Sequence, residues 1–557
     1  MFNYPPHISL NSKSTPKTQK YNDIIRSIRE GIYQIPKFQR DFVWKLENSA
    51  KLIDSIFKGY PIGSFILWRT NTERLKAHKK FGDCFIQQIP MNEYICYILD
   101  GQQRITSLFL IANGIEIEKT NYKDVCIDLS KDIESDDEIC VIKKQDEYIN
   151  FKDEYNNVKD NNKNFISFYD LMYKSILDIQ DKTNKEFAKK CELLKKRLED
   201  YEFSIIEVES SCFFKIADIF TRINTNGKVL TLFEIINAKI YTEGKFDLEK
   251  KFNTLIQELK QIKYESIAKN KMIILQLIGL FLKKNVKKDA ILSIEKDDFV
   301  NEWDNSIKSL KTAIDFMRSY LKIPISHFLP YSALLVAFAY FFRINEFKYN
   351  NLQAQKLSKY FFRSAFSDRF NSSSDTTLTR DAKLIWQIKN DEYIDFDKEI
   401  LIQNTSKEYF VNKVVKKNFS TSSAFDKAVL CILASLSPKN FNDSSDVILD
   451  NSNLIQSNSK NYHHFFPKAY LKKQGQDNFA NALANITLIG GHLNKNEIRA
   501  RAPSEYINKF KNINLNLKED LQTHLIDLDN FGILDDNYDI FLQKRAEKIT
   551  DEILKRL

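Results

Sequence analysis

Cysteine, glycine, proline and histidine are all scarce in this chain of 557 residues, with 7, 13, 11 and 7 copies respectively. The cysteines, at positions 84, 96, 126, 140, 191, 212 and 431, are odd in number and form no CxxC pair, so neither a disulfide framework nor a cysteine zinc site is expected. So little glycine and proline, beside 43% hydrophobic and 28% charged residues, excludes collagen-like, low-complexity and mostly disordered chains. Long apolar runs are missing too. The longest, around residues 272–282 and 331–342, fall short of the ~20 residues that cross a bilayer and read as buried helices. Residues 1–20 are polar, carry Pro5, Pro6 and Pro16, and lack the apolar segment of a secretory signal. An intracellular, cytoplasmic protein without membrane contact is therefore expected. Neither GxxxxGK(S/T) nor GxGxxG occurs, which removes the P-loop and the dinucleotide-binding turn.

What remains is a chain able to fold, and at ~100–200 residues per domain it should form several units. Its 83 Lys+Arg against 74 Asp+Glu leave +9, which permits a polyanionic partner without requiring one. The pattern reads as α+β and multidomain: mixed α and β over 1–245, mostly helical over 246–425, and a last segment over 426–557. Leu46, Leu52, Ile53, Ile56 and Phe57 recur at helical spacing before Gly59 and Pro61, predicting a helix over 45–58. Strands are predicted over 64–69, 94–99, 125–129 and 203–208. Asp100-Gly101 makes a tight turn into a helix carrying Ile105, Leu108, Phe109 and Ile111. The charged stretch 130–164 reads as an insertion or surface segment with no assigned structure. Helices are predicted over 213–223 and 231–241, the second opening on a Thr231/Glu234 capping box. From 246 to 426 the helical period breaks at Pro324, Pro330 and 371–379, and 437–460 reads as a loop.

Three of the seven histidines, His463, His464 and His492, fall within thirty residues. Tyr462-His463-His464-Phe465-Phe466-Pro467-Lys468 is followed by Asn485-Ile486-Thr487-Leu488-Ile489 and then His492-Leu493-Asn494-Lys495, an order of strand-turn, strand and helix start that matches a ββα-metal finger. Phosphodiester hydrolysis needs a base to activate water and a cation to stabilise charge on phosphate and leaving oxygen, which imidazole and a divalent ion supply. Adjacent side chains on an extended segment point in opposite directions, so His463 and His464 should divide the labour. Lys468, Lys472, Lys473, Lys495, Arg499 and Arg501 surround the set and favour a phosphate backbone, though a solvated helix face gives the same charges.

A second constellation lies upstream. Asp100-Gly101-Gln102-Gln103-Arg104 sits at the strand-to-helix turn, where free N–H groups and the positive helix end can receive a phosphate. Gly101 allows close approach of the backbone, and Arg104 offers a planar fork. Residues 35–40, with Gln39 and Arg40, and residues 222–228, with Arg222, Asn224 and Lys228, add polar groups. Together they predict a nucleotide or phosphate pocket.

The C-terminal set resembles the HNH (His-Me finger) endonucleases. That resemblance implies His463 as metal ligand, His464 as general base, Asn485 as the residue that orients the base and Asn494 as the last ligand of one Mg²⁺ or Mn²⁺, with His492 its competitor. Lys468, Lys472, Lys495 and Arg499 would contact DNA. The run from Phe38 to Trp44, the run from Gly59 to Ser64, the Asp100–Arg104 run, and residues 222–227 and 231–238 closely resemble the N-terminal domain of GmrSD-like restriction proteins. The resemblance implies a ParB/sulfiredoxin-like fold that binds and hydrolyses a nucleoside triphosphate, GTP or ATP, with DGQQR as its signature. Gln39, Arg40, Asp100, Gly101, Gln102, Gln103, Arg104, Arg222, Asn224 and Lys228 would meet that nucleotide. The family includes type IV enzymes that act on glucosylated hydroxymethylcytosine DNA and relatives that sense phosphorothioate DNA. The expected protein is an antiphage restriction endonuclease acting on double-stranded, modified phage DNA, with homo-oligomerisation left open. The alternatives are a nucleotide-responsive DNA-binding regulator with an inactive HNH site and an abortive-infection nuclease acting on RNA or unmodified DNA.

Overall fold

The computed structural model describes residues 13–72, 75–78, 80–81, 84–87, 89–90, 93–117, 119–145, 147–151, 164–210, 213–223, 231–242, 244–449 and 462–557. The sequence pattern gives three segments, whereas the chain divides into two compact units, Met1–Leu248 and Glu249–Leu557. The helix Ala424–Ser435 runs across the expected 425/426 boundary.

The first unit is built on a five-stranded sheet in the order Lys13–Gln19, Phe203–Glu209, Phe65–Thr70, Ile95–Asp100, Tyr33–Gln34. Successive pairs run antiparallel, parallel, antiparallel and parallel. Ile95 to Leu99 are all buried, which explains why that strand reads as an unbroken apolar run. One core joins Ile53 and Phe57 of the helix Leu46–Phe57, Phe65 and Ile98 of the sheet, and Ile105 and Leu108 of the helix Gln102–Asn113. The predicted helices and strands of this unit stand within a residue or two of their expected limits, and the Thr231/Glu234 capping box is formed.

Three features depart from the sequence reading. Lys13–Gln19 is a strand although it is exposed along nearly its whole length. An outer strand with polar residues on both faces carries no apolar period, and Pro16 is tolerated because an edge leaves one side of the backbone unpaired. Within 130–164, Cys140–Ile142 forms a strand in a second sheet with Val125–Asp128 and Phe165–Ser167. Its entry is held by the buried Asp54 carboxylate, which accepts from Ile139 N at 2.7 Å and Cys140 N at 3.1 Å. Three helices, Phe168–Tyr173, Ile176–Lys182 and Lys185–Asp200, follow, capped by Ser167, Ser175 and Asn184.

The second unit is mostly helical. Its two most apolar helices, Met272–Lys283 and Ser332–Ile344, bury every residue from Ile273 to Leu280 and from Ala333 to Phe342, as expected of helices apolar all round. Among the described residues no helix is long and apolar enough to cross a membrane. The helix Ser374–Lys389 begins inside the expected break at 371–379, after Ser373 takes a left-handed φ of 49°. Near the C-terminus a short hairpin pairs Tyr462–His464 with Ile486–Leu488, setting His463 opposite Thr487 and His464 opposite Ile486. Phe465 then stacks on Phe541 of the helix Tyr538–Leu554 with ring centroids 4.7 Å apart, anchoring the hairpin to the core.

Candidate functional site

Strand alternation separates the two histidines of the hairpin. His463 is buried, and its Nδ1 lies 3.1 Å from Asn494 Oδ1. Its Nε2 is buried without a hydrogen-bond partner among the described residues, beside the rings of Phe441, Phe465 and Tyr506. Burial pushes the His463 pKa down to about 3, against the pull of Asn494, so the ring is neutral at physiological pH. His464 is half-buried, with Nε2 2.9 Å from Asn481 Oδ1. Burial brings its pKa to about 4; Asn481 opposes the shift and Lys468 adds to it.

Asn485 stands behind the pair. It is fully buried, and its Oδ1 accepts from Phe466 N at 2.8 Å while its Nδ2 donates to Phe466 O at 2.9 Å and Ala480 O at 3.0 Å. It thus ties the turn after His464 to the chain before the second strand, through backbone and not through the ring. Arg545, fully buried, donates to Ala484 O at 2.6 Å and His524 O at 3.1 Å and locks the same strand entry from below. Of the two candidates for the last ligand, Asn494 reaches His463 while His492 is exposed. Asn494 sits in a wide helical turn, Leu493–Ile498, a form that recurs at functional sites. Lys468, Lys472, Lys495 and Arg499 are exposed and have no ion-pair partner among the described residues.

The fit to a divalent ion can be tested on this geometry. Two ligand atoms at right angles around an ion, each ~2.1 Å away, lie about 3 Å apart, close to the 3.1 Å between His463 Nδ1 and Asn494 Oδ1; an ion there would replace their hydrogen bond and require the His463 proton on Nε2. Among the described residues no group of three or more His, Cys, Asp and Glu could hold a metal. An ion here would have one imidazole and one carboxamide from the protein, leaving its other positions to water and substrate oxygens, which suits Mg²⁺ or Mn²⁺ and not structural zinc.

The upstream motif surrounds a cavity of about 260 Å³ lined by Phe38, Gln39, Arg40, Trp44, residues 99–104 and Phe220. Most of the motif's side chains face backbone. Gln39 Nε2 donates to Ile98 O and, at 3.3 Å, to Leu99 O. Gln102 Nε2 donates to Arg40 O at 2.8 Å. Gln103 Nε2 donates to Asp41 O at 3.3 Å, and its Oε1 accepts from Val43 N at 2.9 Å. Arg104 donates to Ile62 O, to Ser64 O at 3.0 Å and to Asp100 Oδ2 at 3.4 Å. Burial lowers the Arg104 pKa, with Asp100 opposing. These bonds clamp the loop carrying Phe38 to Trp44 over the start of the helix.

Three features remain available to a ligand. Arg40 is exposed, with no partner for its guanidinium among the described residues. The helix Gln102–Asn113 starts at Gly101 with a φ of 87° and no side-chain cap, so its first N–H groups have no capping partner among the described residues. A Cβ at Gly101 would strike the Phe65 ring, so only glycine fits this turn. Aromatic rings complete the wall: Phe38 and Phe220 meet edge to face at 5.1 Å. Arg222 is exposed, pairs with Asp218 at 3.0 Å and does not line the cavity; Asn224 and Lys228 lie outside the described residues.

Sequence reading passed over two contributors. Asn481, the partner of the His464 ring, stands four residues before Asn485 in the same Asn-rich run; an asparagine gives no periodic signal, and only the pairing reveals which one meets the imidazole. Phe220 comes from a helix far along the chain. Residues 21–241 match the family described as the GmrSD restriction endonuclease N-terminal domain. The whole chain is similar to an uncharacterized protein of Methanocaldococcus jannaschii, MJ0686, at 23% identity over 602 aligned positions that cover 97% of this chain and 98% of that one. Over residues 21–241, the chain is thus similar to the N-terminal domain of the GmrSD restriction endonucleases.

Proposed function

We propose that this protein is a restriction-type endonuclease that hydrolyses DNA at the His463–His464 hairpin under the control of a nucleotide held in the N-terminal cavity. The observation that carries the reading is the hairpin itself, where the neutral His464 imidazole, with no partner for its Nδ1 among the described residues, stands beside a His–Asn pair spaced for one ion. The match to a restriction endonuclease domain over the first unit supports it. His464 Nδ1 takes a proton from water as the water oxygen forms a bond to phosphorus. The phosphorus–oxygen bond on the far side breaks, and its electron pair stays on the leaving oxygen. His463 and Asn494 would hold Mg²⁺ or Mn²⁺, which when bound stabilises negative charge on the phosphate and leaving oxygen. Asn485 keeps the turn after His464 in place, and Lys468, Lys472, Lys495 and Arg499 attract the DNA backbone. The unit is read as a ββα-metal (HNH) finger, and the first unit as a ParB/sulfiredoxin-like domain.

In the cavity, Arg40 and the first N–H groups after Gly101 would receive phosphates of GTP or ATP. Gln39, Gln102, Gln103 and Arg104 would shape that receptor from behind, and Asp100 would position a cation or water. The preferred substrate is modified phage DNA. The test is digestion of plasmid and of phage DNAs with different modifications, with Mg²⁺ or Mn²⁺ and with or without GTP or ATP. Metal-dependent cuts that vanish in His464→Ala support the reading; a panel left uncut under every condition rejects it in favour of a DNA-binding regulator.

A further inference from the structure

Resting on the hydrolytic reading above, we infer that Asn481 is a positioning residue that sets the tautomer of His464, and that the backbone carbonyl of Phe419 sets Asn481. The argument is one of donors and acceptors. A carbonyl oxygen only accepts, so the atom of Asn481 that meets Phe419 O at 3.1 Å is the amide nitrogen. That turns Asn481 Oδ1 to the imidazole, 2.9 Å from His464 Nε2. This oxygen also only accepts, so Nε2 carries the ring proton. The lone pair of the neutral ring then resides on Nδ1, the one ring nitrogen able to take a proton from water. Without the carboxamide the ring is free to adopt the other tautomer, in which Nδ1 is protonated and inert as a base.

Phe419 is itself fixed. Its N–H donates to Asn481 O at 2.8 Å, and Asn418 bridges to Ala482, so this segment pairs with the residues leading into the second strand of the hairpin. Behind it the fully buried Asp426 carboxylate accepts from Lys417 Nζ at 2.8 Å and Ser420 N at 2.8 Å. A buried carboxylate tied to both sides of Phe419 holds its carbonyl in one direction. The loop 417–423, between the helices Lys407–Lys416 and Ala424–Ser435, therefore belongs to the base of the hairpin site.

The test uses the full chain with Mn²⁺, with GTP or ATP, and the DNA of the plasmid and phage panel that the wild type cuts fastest. Asn481→Leu should lower kcat about 10- to 100-fold while leaving KM for DNA within about twofold. Asn481→Asp keeps an oxygen toward Nε2 but sets its other oxygen against the Phe419 carbonyl, so it should retain more of kcat than Asn481→Leu. Spectra of ¹⁵N-histidine-labelled, metal-free protein, with His464 assigned by its loss in His464→Gln, should show the Nε2–H tautomer in the wild type and in Asn481→Asp and a mixture in Asn481→Leu. A wild-type ring protonated on Nδ1, or an unchanged kcat in Asn481→Leu, overturns the inference. If Asn481→Leu loses its cooperative melting transition, the wild-type tautomer and the aspartate variant decide. If no DNA is cut by the wild type, the hydrolytic reading fails while the tautomer still answers for Asn481.

Discussion

Around the N-terminal cavity, the side chains of Gln39, Gln102, Gln103 and Arg104 end on backbone carbonyls of their own unit, whereas at the C-terminal hairpin His463 and His464 each meet one carboxamide and have no partner for the second ring nitrogen among the described residues. In the first unit the polar side chains of the motif close their own loop, whereas in the hairpin each imidazole meets a side-chain carboxamide. A buried amide or guanidinium must find acceptors, and in the first unit the nearest are main-chain carbonyls of the loop it closes. A neutral imidazole has one donor and one acceptor nitrogen, so a single partner that only accepts, as at His464, leaves the acceptor nitrogen open. Polar density in a motif therefore marks a site without telling which of its residues touch the ligand.

The comparison breaks most visibly at His464. His464→Ala should reduce metal-dependent cleavage by about 10²- to 10⁴-fold, with DNA binding retained in a gel-shift assay; a variant that cuts normally would return the hairpin to a structural role. Next is acid sensitivity. His463 and His524 are buried and neutral, each with a pKa lowered to about 3 chiefly by burial. As pH falls, the unfolded chain takes up these protons first, so stability is complete above about pH 6.5 and is lost as pH drops toward the folded values. At pH 5 the cost is about 2 kcal/mol for each ring, and His464 adds in the same direction. Metal-free protein followed by calorimetry should show the transition of the second unit moving down between pH 7 and pH 5, with that of the first unit moving less.

A smaller contrast separates two arginines of the cavity. Arg104→Ala removes bonds to Ile62 O and Ser64 O and should cost about 2 kcal/mol of stability, read as a lower melting temperature. Arg40→Ala should leave melting unchanged and weaken triphosphate binding about tenfold, the effect of one charge-assisted hydrogen bond. Exchange of these two outcomes would mean that the motif arginine, and not the loop arginine, meets the phosphates. The smallest effect belongs to the exposed cations: Lys472→Gln should weaken DNA binding evenly across sequences and reduce the slope against log salt by about 0.9, with kcat unchanged.

Long apolar elements were legible because they carry a period. The helix Leu46–Phe57, the strand Ile95–Asp100 and the buried helices Met272–Lys283 and Ser332–Ile344 all follow their patterns. The edge strand Lys13–Gln19 was not, since exposure on both faces erases alternation, and neither was Cys140–Ile142, whose entry depends on Asp54 from a distant helix. At the hairpin, the His-His pair stands out by type, and Asn485 and Asn494 were placed through the HNH resemblance with His492 left as a competitor; that Asn481 is the asparagine that meets the ring depends on where Phe419 lies.

By itself, then, the amino-acid sequence determined the periodic elements, the left-handed turn that only Gly101 can make and the chemical types gathered at two places, because these depend on local sterics and on side-chain polarity. The tertiary structure alone decided which donor meets which acceptor. It turned the glutamines and Arg104 of the first unit toward main chain, set Asn494 and not His492 against His463, and brought the Asn481 carboxamide to His464 Nε2. Hydrogen bonds between residues far apart in sequence have no local signature, since their partners become neighbours only when the chain is packed.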